Sequence, residues 1–286
     1  MIPLSALTVD VEDYFHVEAF ARTVRYVDWP TYASRVGNNT RRLLDLLDRH
    51  HVRGTFFVLG WVADRDPALV REIAGRGHEL GCHGYAHRPL WTLAVQEFRE
   101  DVGRAKATIE NTAGTRVAGY RAPTFSVTRR TMWALDILAE LGFDYDSSIF
   151  PIRHDRYGIP DAPRFPHRVR LRSGAEIIEF PMTTFPVGRH RLPFSGGGYL
   201  RLLPYRLVRH AMRSVTKQER RPAIVYLHPW EIDPDQPRLE AGWPTRLRHY
   251  TNLHRTERKV ERLLQDFPFT TAAEVLAALD PASVTP

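Results

Sequence analysis

His83 and His87 stand four residues apart in ELGCHGYAH (79–87), and Asp10, Glu12 and Asp13 crowd three carboxylates into TVDVED (8–13). Two neutral imidazoles and one carboxylate make the donor set of a catalytic zinc-type centre, in which a further coordination position stays open for water or substrate. Clustered like charges are costly unless a cation or a retained proton relieves them. Each feature also has a plainer reading. Histidines at this spacing can share a helix face, and an acid at a strand end can cap the helix that follows. Gly81 and Gly84 bracket His83 and Pro89 follows His87, which favours a strand running into a loop.

The elements that must position these residues alternate along the chain. LSALTVDV, GTFFVLG, HELGCH, VAGYRAP, DYDSS and RPAIVYLHPWE read as strands, being short, apolar or β-branched, and bounded by turn residues. Between them, NNTRRLLDLLDRHH behind an asparagine cap, the Pro-started DPALVREIAGRG, LAVQEFREDVGRAKATIENTAG and TRRTMWALDILAELGF carry apolar residues at helical spacing. RVRLRSGAEIIEFPM predicts a hairpin turning at Ser173-Gly174, and TERKVERLLQDF and TAAEVLAAL predict closing helices around a short strand, FTT. Such alternation predicts an α/β fold with a parallel sheet. Asp10, Glu12, Asp13, His83, His87, Arg121, Asp146 and His228 all fall at or just past the C-terminal ends of predicted strands, where β/α barrels build their sites. No glycine-rich dinucleotide loop follows the first strand, so a distorted (β/α) barrel is expected rather than a doubly wound sheet. The stretches 150–168 and 185–205 break the alternation and read as long loops.

Composition narrows the classes. Cys82 is the single cysteine, which rules out an internal disulfide and a four-cysteine zinc site; adjoining His83, it should face the core. The formal charge of +7 rests mainly on arginines interleaved with acids or apolar residues, and no nucleic-acid motif accompanies them. No apolar run reaches the ~18 residues of a membrane helix. The N-terminus lacks the basic and apolar regions of a secretory signal, so a cytoplasmic protein is expected. With no linker and no repeat, residues 1–286 are expected to form one domain, its motifs within 4–231 and closing helices over 232–286.

Five short motifs in order give the chain a family likeness. TVDVED (8–13), HGYAH (83–87), RAPTF (121–125), DYDSS (144–148) and YLH (226–228) resemble the ordered motifs of the NodB-type polysaccharide deacetylases, carbohydrate esterases that remove acetyl groups from glycans. DVEDYFHVEAF, GGGYLRLLPY and HPWEID are similar to the group found beside bacterial exosortase exopolysaccharide loci.

The resemblance implies a hydrolase of this fold holding one divalent metal ion, zinc first, with cobalt, nickel or iron also compatible. Its substrate would be an acetylated glycan of an exopolysaccharide or its precursor, with peripheral contact to a membrane-bound assembly machinery. Asp10 would be the general base, Arg121 the residue that orients it, and His228 the general acid. His83 and His87 would be metal ligands. The family's adjacent acid pair is here Asp-Val-Glu-Asp, so the third ligand is Glu12 or Asp13; strand alternation puts Glu12 on the face of Asp10 and favours it. The residue after Pro123 would donate its backbone N–H to an oxyanion; it is Thr124 where the family has tyrosine, which removes an aromatic platform. Asp146 would buttress the rim, and Tyr199, Trp230 and Trp91 offer rings for sugars. Glu231, three past His228, could orient that histidine. Two other functions fit the same motifs: a cyclic amide or ureide amidohydrolase of this fold, and a catalytically inactive glycan-binding barrel.

Overall fold

The segment that carries the acid cluster begins as SALTVDV, buried along its whole length as strand β1 (Ser5–Val11). A strand of apolar and β-branched residues with no solvated face needs neighbours on both edges and layers on both faces. The computed structural model, which describes residues 2–279, supplies both. Residue 1 and residues 280–286 of the expected 1–286 domain lie outside the described residues. The remaining strands are β2 (Thr55–Val58), β3 (Glu79–Cys82), β4 (Gly119–Tyr120), β5 (Tyr145–Asp146), β6 (His167–Arg170), β7 (Glu176–Glu179), β8 (Thr184–Val187), β9 (His190–Pro193), β10 (Ile224–Leu227) and β11 (Phe269–Thr270). The large sheet runs β10-β1-β2-β3-β4-β5-β7-β6, with β11 also pairing β1. All pairs are parallel except β6–β7, the expected hairpin, whose turn carries Gly174 at φ +86°.

The helices are α1 (Val36–Arg49), α2 (Gly60–Arg65), α3 (Pro67–Gly75), α4 (Val95–Ala113), α5 (Trp133–Glu140), α6 (Gly197–Leu202), α7 (Tyr205–Arg213), α8 (Trp243–Tyr250), α9 (Leu253–Asp266) and α10 (Ala272–Ala277). The distorted-barrel expectation holds: the sheet curls with helices around it, and β6 and β10 at its two ends are not joined by a ladder. Among the described residues no helix is long and apolar enough to cross a membrane.

Two local expectations are corrected. Helix α1 does not start behind an asparagine cap. It begins at Val36, because the Asp13 carboxylate accepts the backbone N–H groups of Arg35 (2.8 Å) and Val36 (3.1 Å) from across the fold. Asn39 lies inside the helix, donating to Asp233 at 2.9 Å. The stretch 185–205 is not a plain loop. A two-residue connection with Gly188 at φ +56° joins β8 to β9, and the glycine run that follows enters α6. A Cβ at Gly196 would lie 2.2 Å from the Tyr226 ring, so only glycine lets this segment bridge to β10.

Candidate active site

β1 sits between β2 and β10, and the curl of the sheet brings its C-terminal end against the residue that follows β4, as the 2.7 Å bond from Arg121 to Asp10 shows. Glu12 is the first residue past β1, turned back by a bond from its N–H to the Asp10 carbonyl at 2.9 Å. His83 follows β3, Arg121 follows β4, and His228 follows β10. The strand ends enclose a cavity of about 410 Å³ whose lining includes Asp10, Glu12, His83, His87, Thr124 and His228.

The histidine pair is not on a helix. Gly84 takes φ +74°, and the 83–87 loop is tied down by Gly60 N–H to the Gly84 carbonyl (2.9 Å), Trp61 N–H to the Tyr85 carbonyl (3.1 Å) and Tyr85 N–H to the Asp101 carboxylate (2.7 Å). The imidazoles meet with centroids 5.2 Å apart. His83 Nδ1–H donates to the Arg121 carbonyl at 2.8 Å, which fixes its tautomer and leaves the Nε2 lone pair facing inward, as in metal-ligating histidines. Burial pushes His83 down to about 4, so it is neutral at physiological pH.

One potential ligand atom each from Glu12, His83 and His87 lies within 4.8 Å of the other two. Glu12 is 2 % exposed, and its Oε2 lies 2.7 Å from His87 Nε2. Burial by itself would raise the Glu12 carboxyl, but His87 and His228 outweigh it and hold the group well below the usual carboxylate range. Glu12 Oε2 and His87 Nδ1 are buried without a well-formed hydrogen bond. An ionised, incompletely bonded carboxylate facing two imidazoles is the environment a divalent cation fits, so the residues present suit such an ion. Asp13 lies elsewhere: besides capping α1 it accepts from Ser34 Oγ (2.8 Å) and Tyr14 N–H (3.1 Å).

Beside this cluster, the fully buried Arg121 guanidinium donates from Nη1 to Asp10 Oδ1 and Thr8 Oγ1, both at 2.7 Å, from Nε to the Ser147 carbonyl (3.1 Å), and from Nη2 to Ser147 Oγ (3.0 Å). Its Cζ lies 4.2 Å from the centroid of the Phe57 ring. A guanidinium with this many partners has no freedom left, and it fixes one oxygen of Asp10 while the other faces His228 Nε2 at 3.8 Å. His228 Nε2 is also 3.5 Å from Glu12 Oε1. Burial would lower His228, yet Glu12, Glu231 and Asp10 overcome it and lift the imidazole to about 9. Glu231 lies 3.2 Å from His228 Nδ1 and accepts from Arg201 Nε at 2.6 Å. Burial would raise Glu231 too, but Arg201 and His228 bring it down to about 2.

The remaining expected residues divide. Thr124 lines the cavity and stands at φ +58°, ψ 22°, with Phe125 next to it at φ +51°. Consecutive β-branched and aromatic residues in the left-handed region are strained, and such strain clusters at functional sites. Pro123, Asp146 and Tyr199 lie outside the cavity lining. Asp146 is fully buried behind the rim, accepting from Ser148 Oγ at 2.5 Å and sitting in register with Glu179 on β7. Tyr199 packs edge-on against Phe150, centroids 6.4 Å apart. Trp230 reaches the site but offers no ring to a sugar. It is 4 % exposed, His228 stacks on it at 5.1 Å and His249 at 4.2 Å, and its Nε1–H donates to Glu12 Oε1 at 3.1 Å. That bond, and the cavity walls made by His154, Arg156, Thr245 and Arg248, had no motif to announce them.

Residues 27–145 match the polysaccharide deacetylase family, and residues 147–277 match a domain of unknown function, DUF3473. A peptidoglycan-N-acetylglucosamine deacetylase of Bacillus cereus is 37% identical over 86 residues, 30% of this chain and 29% of that protein. The chain spans well under half the length of the curated relatives it matches. Among solved structures, a Mycobacterium smegmatis protein assigned to the polysaccharide deacetylases aligns with TM-score 0.63 at 21% identity, covering 100% of this chain and 97% of that one. A family 4 carbohydrate esterase from Streptomyces lividans, solved with acetate, aligns with TM-score 0.52 at 13% identity, covering 93% and 91%. At these identities the likeness is one of fold.

Proposed function

We propose that this chain, whose residues 27–145 match the polysaccharide deacetylase family, removes acetyl groups from N-acetylated sugars of a bacterial exopolysaccharide or its precursor, using one divalent cation. The observation that carries the reading is the convergence of Glu12, His83 and His87 donor atoms within 4.8 Å in a cavity also lined by Asp10 and His228. The N-acetylglucosamine in the name of the Bacillus cereus relative supports the sugar, and the DVEDYFHVEAF, GGGYLRLLPY and HPWEID likenesses support the exopolysaccharide setting.

Glu12, His83 and His87 would hold the cation, zinc being the ion such a donor set takes most readily, with cobalt, nickel or iron also accommodated. When bound, the cation acidifies water and polarises a carbonyl oxygen. The chain's own residues do the rest. Asp10, aimed by Arg121, takes a proton from water as its oxygen attacks the acetyl carbon. The Thr124 backbone N–H, presented by its left-handed turn, donates to the developing oxyanion. As the C–N bond breaks, protonated His228, held by Glu231, gives its proton to the departing amine, leaving acetate and a free amino sugar.

Acetate release from a panel of N-acetylated oligosaccharides tests the reading, with protein stripped by chelator and reloaded with zinc. Zinc-dependent release that is lost in Asp10→Asn is expected. Hydrolysis of cyclic imides or ureides without acetate release from glycans would assign the site to small amides instead. Glycan binding with no turnover by wild type would make it a binding barrel.

A further inference from the structure

Several exposed arginines of this chain are neutralised where they stand: Arg25 holds Asp28, Arg42 holds Glu257 and Arg116 holds Asp144, each at 2.7 Å. One stretch departs from this pattern. Between Pro237 and Arg255 four arginines stand against a single acid, Glu240. Three of them, Arg238, Arg246 and Arg248, are exposed, and among the described residues no carboxylate lies within ion-pair reach of any of the three. The same stretch carries Trp243 and Leu247, one turn apart on one face of α8 and 74 % and 55 % exposed. Trp243, Leu247, Arg238, Arg246 and Tyr250 line one surface hollow of about 430 Å³. The helix behind it is fixed. Arg201 donates to the carbonyls of Arg248 (3.1 Å) and Thr251 (3.3 Å), the Tyr250 hydroxyl takes the Leu239 N–H at 2.8 Å, and buried His249 stacks on Trp230 with centroids 4.2 Å apart.

An apolar line with unpaired cations around it complements a surface of hydrocarbon beneath anionic headgroups. Tryptophan settles at the headgroup level of a bilayer, and arginine forks onto lipid phosphate. A protein partner fits less well. A stable protein interface covers about 800 Å² on each side, more than two apolar side chains on an eight-residue helix supply. We propose that the outer face of α8, through Trp243, Leu247, Arg238 and Arg246, docks this protein on an anionic lipid bilayer. Thr245, Arg248 and His249 of the same helix wall the cavity that contains Glu12, His83 and His87, so docking sets that cavity roughly 10–12 Å, one helix diameter, from the headgroups. The docking itself does not depend on which reaction the cavity performs.

Cosedimentation of the full chain with vesicles tests this, using phosphatidylcholine alone and phosphatidylcholine mixed with phosphatidylglycerol. Wild type is expected to bind the mixed vesicles about tenfold or more tightly than the neutral ones, and to lose that affinity as salt is raised. Trp243→Ser/Leu247→Ser should weaken binding to the mixed vesicles about tenfold, and Arg238→Gln/Arg246→Gln should remove most of the preference for anionic lipid. All four side chains are exposed, so both variants should melt as wild type does. No binding by wild type, or equal binding to the two kinds of vesicle, overturns the proposal, as does undiminished binding by the apolar variant. Sedimentation equilibrium without lipid tests the other occupant. A wild-type dimer that Trp243→Ser/Leu247→Ser converts to monomer would give the face to a second copy of the chain and overturn the docking.

Discussion

Two sets of buried acids lie along one sheet, and their surroundings drive them to opposite protonation states. Glu12 at the end of β1 meets imidazoles, which outweigh its burial and keep it ionised. Asp146 and Glu179, in register on β5 and β7, meet each other, Ser148 and the Ile149 N–H, and burial raises both, which favours their protonated forms. Burial alone therefore decides nothing about a carboxyl group. The first arrangement leaves an anion with unused coordination capacity, which suits a cation. Among the described residues the second meets no imidazole but a hydroxyl and a backbone N–H, and the Ser148 it holds in turn holds the Ala122 N–H.

The sharpest way to break this contrast is Glu12→Gln, which keeps shape and removes charge. Bound metal per chain is expected to fall well below one and zinc-dependent acetate release by about 10³-fold or more, several kcal/mol of transition-state stabilisation. Full metal content in the variant would remove Glu12 from the ligand set. Glu179→Ala should act on stability instead. It strands the Asp146 carboxyl and the Ile149 N–H in the interior, a loss of about 2–4 kcal/mol in denaturant unfolding, with metal content unchanged. Asp13→Ala should cost about 1–2 kcal/mol through the lost α1 cap and likewise leave metal content intact; metal loss there would show that the adjacent acid had been chosen wrongly.

The smallest effect sharpens the comparison most. Carboxyls whose folded pKa lies above the unfolded value stabilise the fold below the unfolded pKa, about 4, and lose that contribution as pH rises through the raised value. As pH rises above the unfolded value wild type should therefore lose stability relative to Glu179→Gln, whose side chain at 179 stays neutral throughout. Melting temperatures of the pair over that rise check the sign, and a constant difference would mean that the acid pair is ionised when buried.

Much of the site was legible because chemistry and topology coincided in the motifs. The residues at strand ends announce themselves when an apolar run stops at a polar one, and the even spacing of Asp10 and Glu12 was enough to prefer Glu12 on alternation. The grounds were incomplete, however: β1 ends at Val11 and a tight turn, not continued pleating, directs Glu12. What stayed hidden depends on distant partners. The α1 start is set by Asp13 rather than by a local cap. The part played by Trp230 follows from an indole N–H meeting a residue 218 positions away. Helices α7 and α8 are rich in arginine and expose Leu207, Trp243 and Leu247, so apolar periodicity gave no cue to them, although α8 walls the cavity.

The place of β1 between β2, β10 and β11 also bears on how the molecule comes to exist. Synthesised before the strands it pairs with, β1 finds one edge partner within some fifty residues, but the opposite edge stays bare until residues 224–227 and 269–270 arrive. Until they do, a strand that the finished fold buries along its whole length presents unpaired backbone, which any other strand can capture. Folding that waits on contacts this far apart is slow, and the bare edge is a site for aggregation until they form.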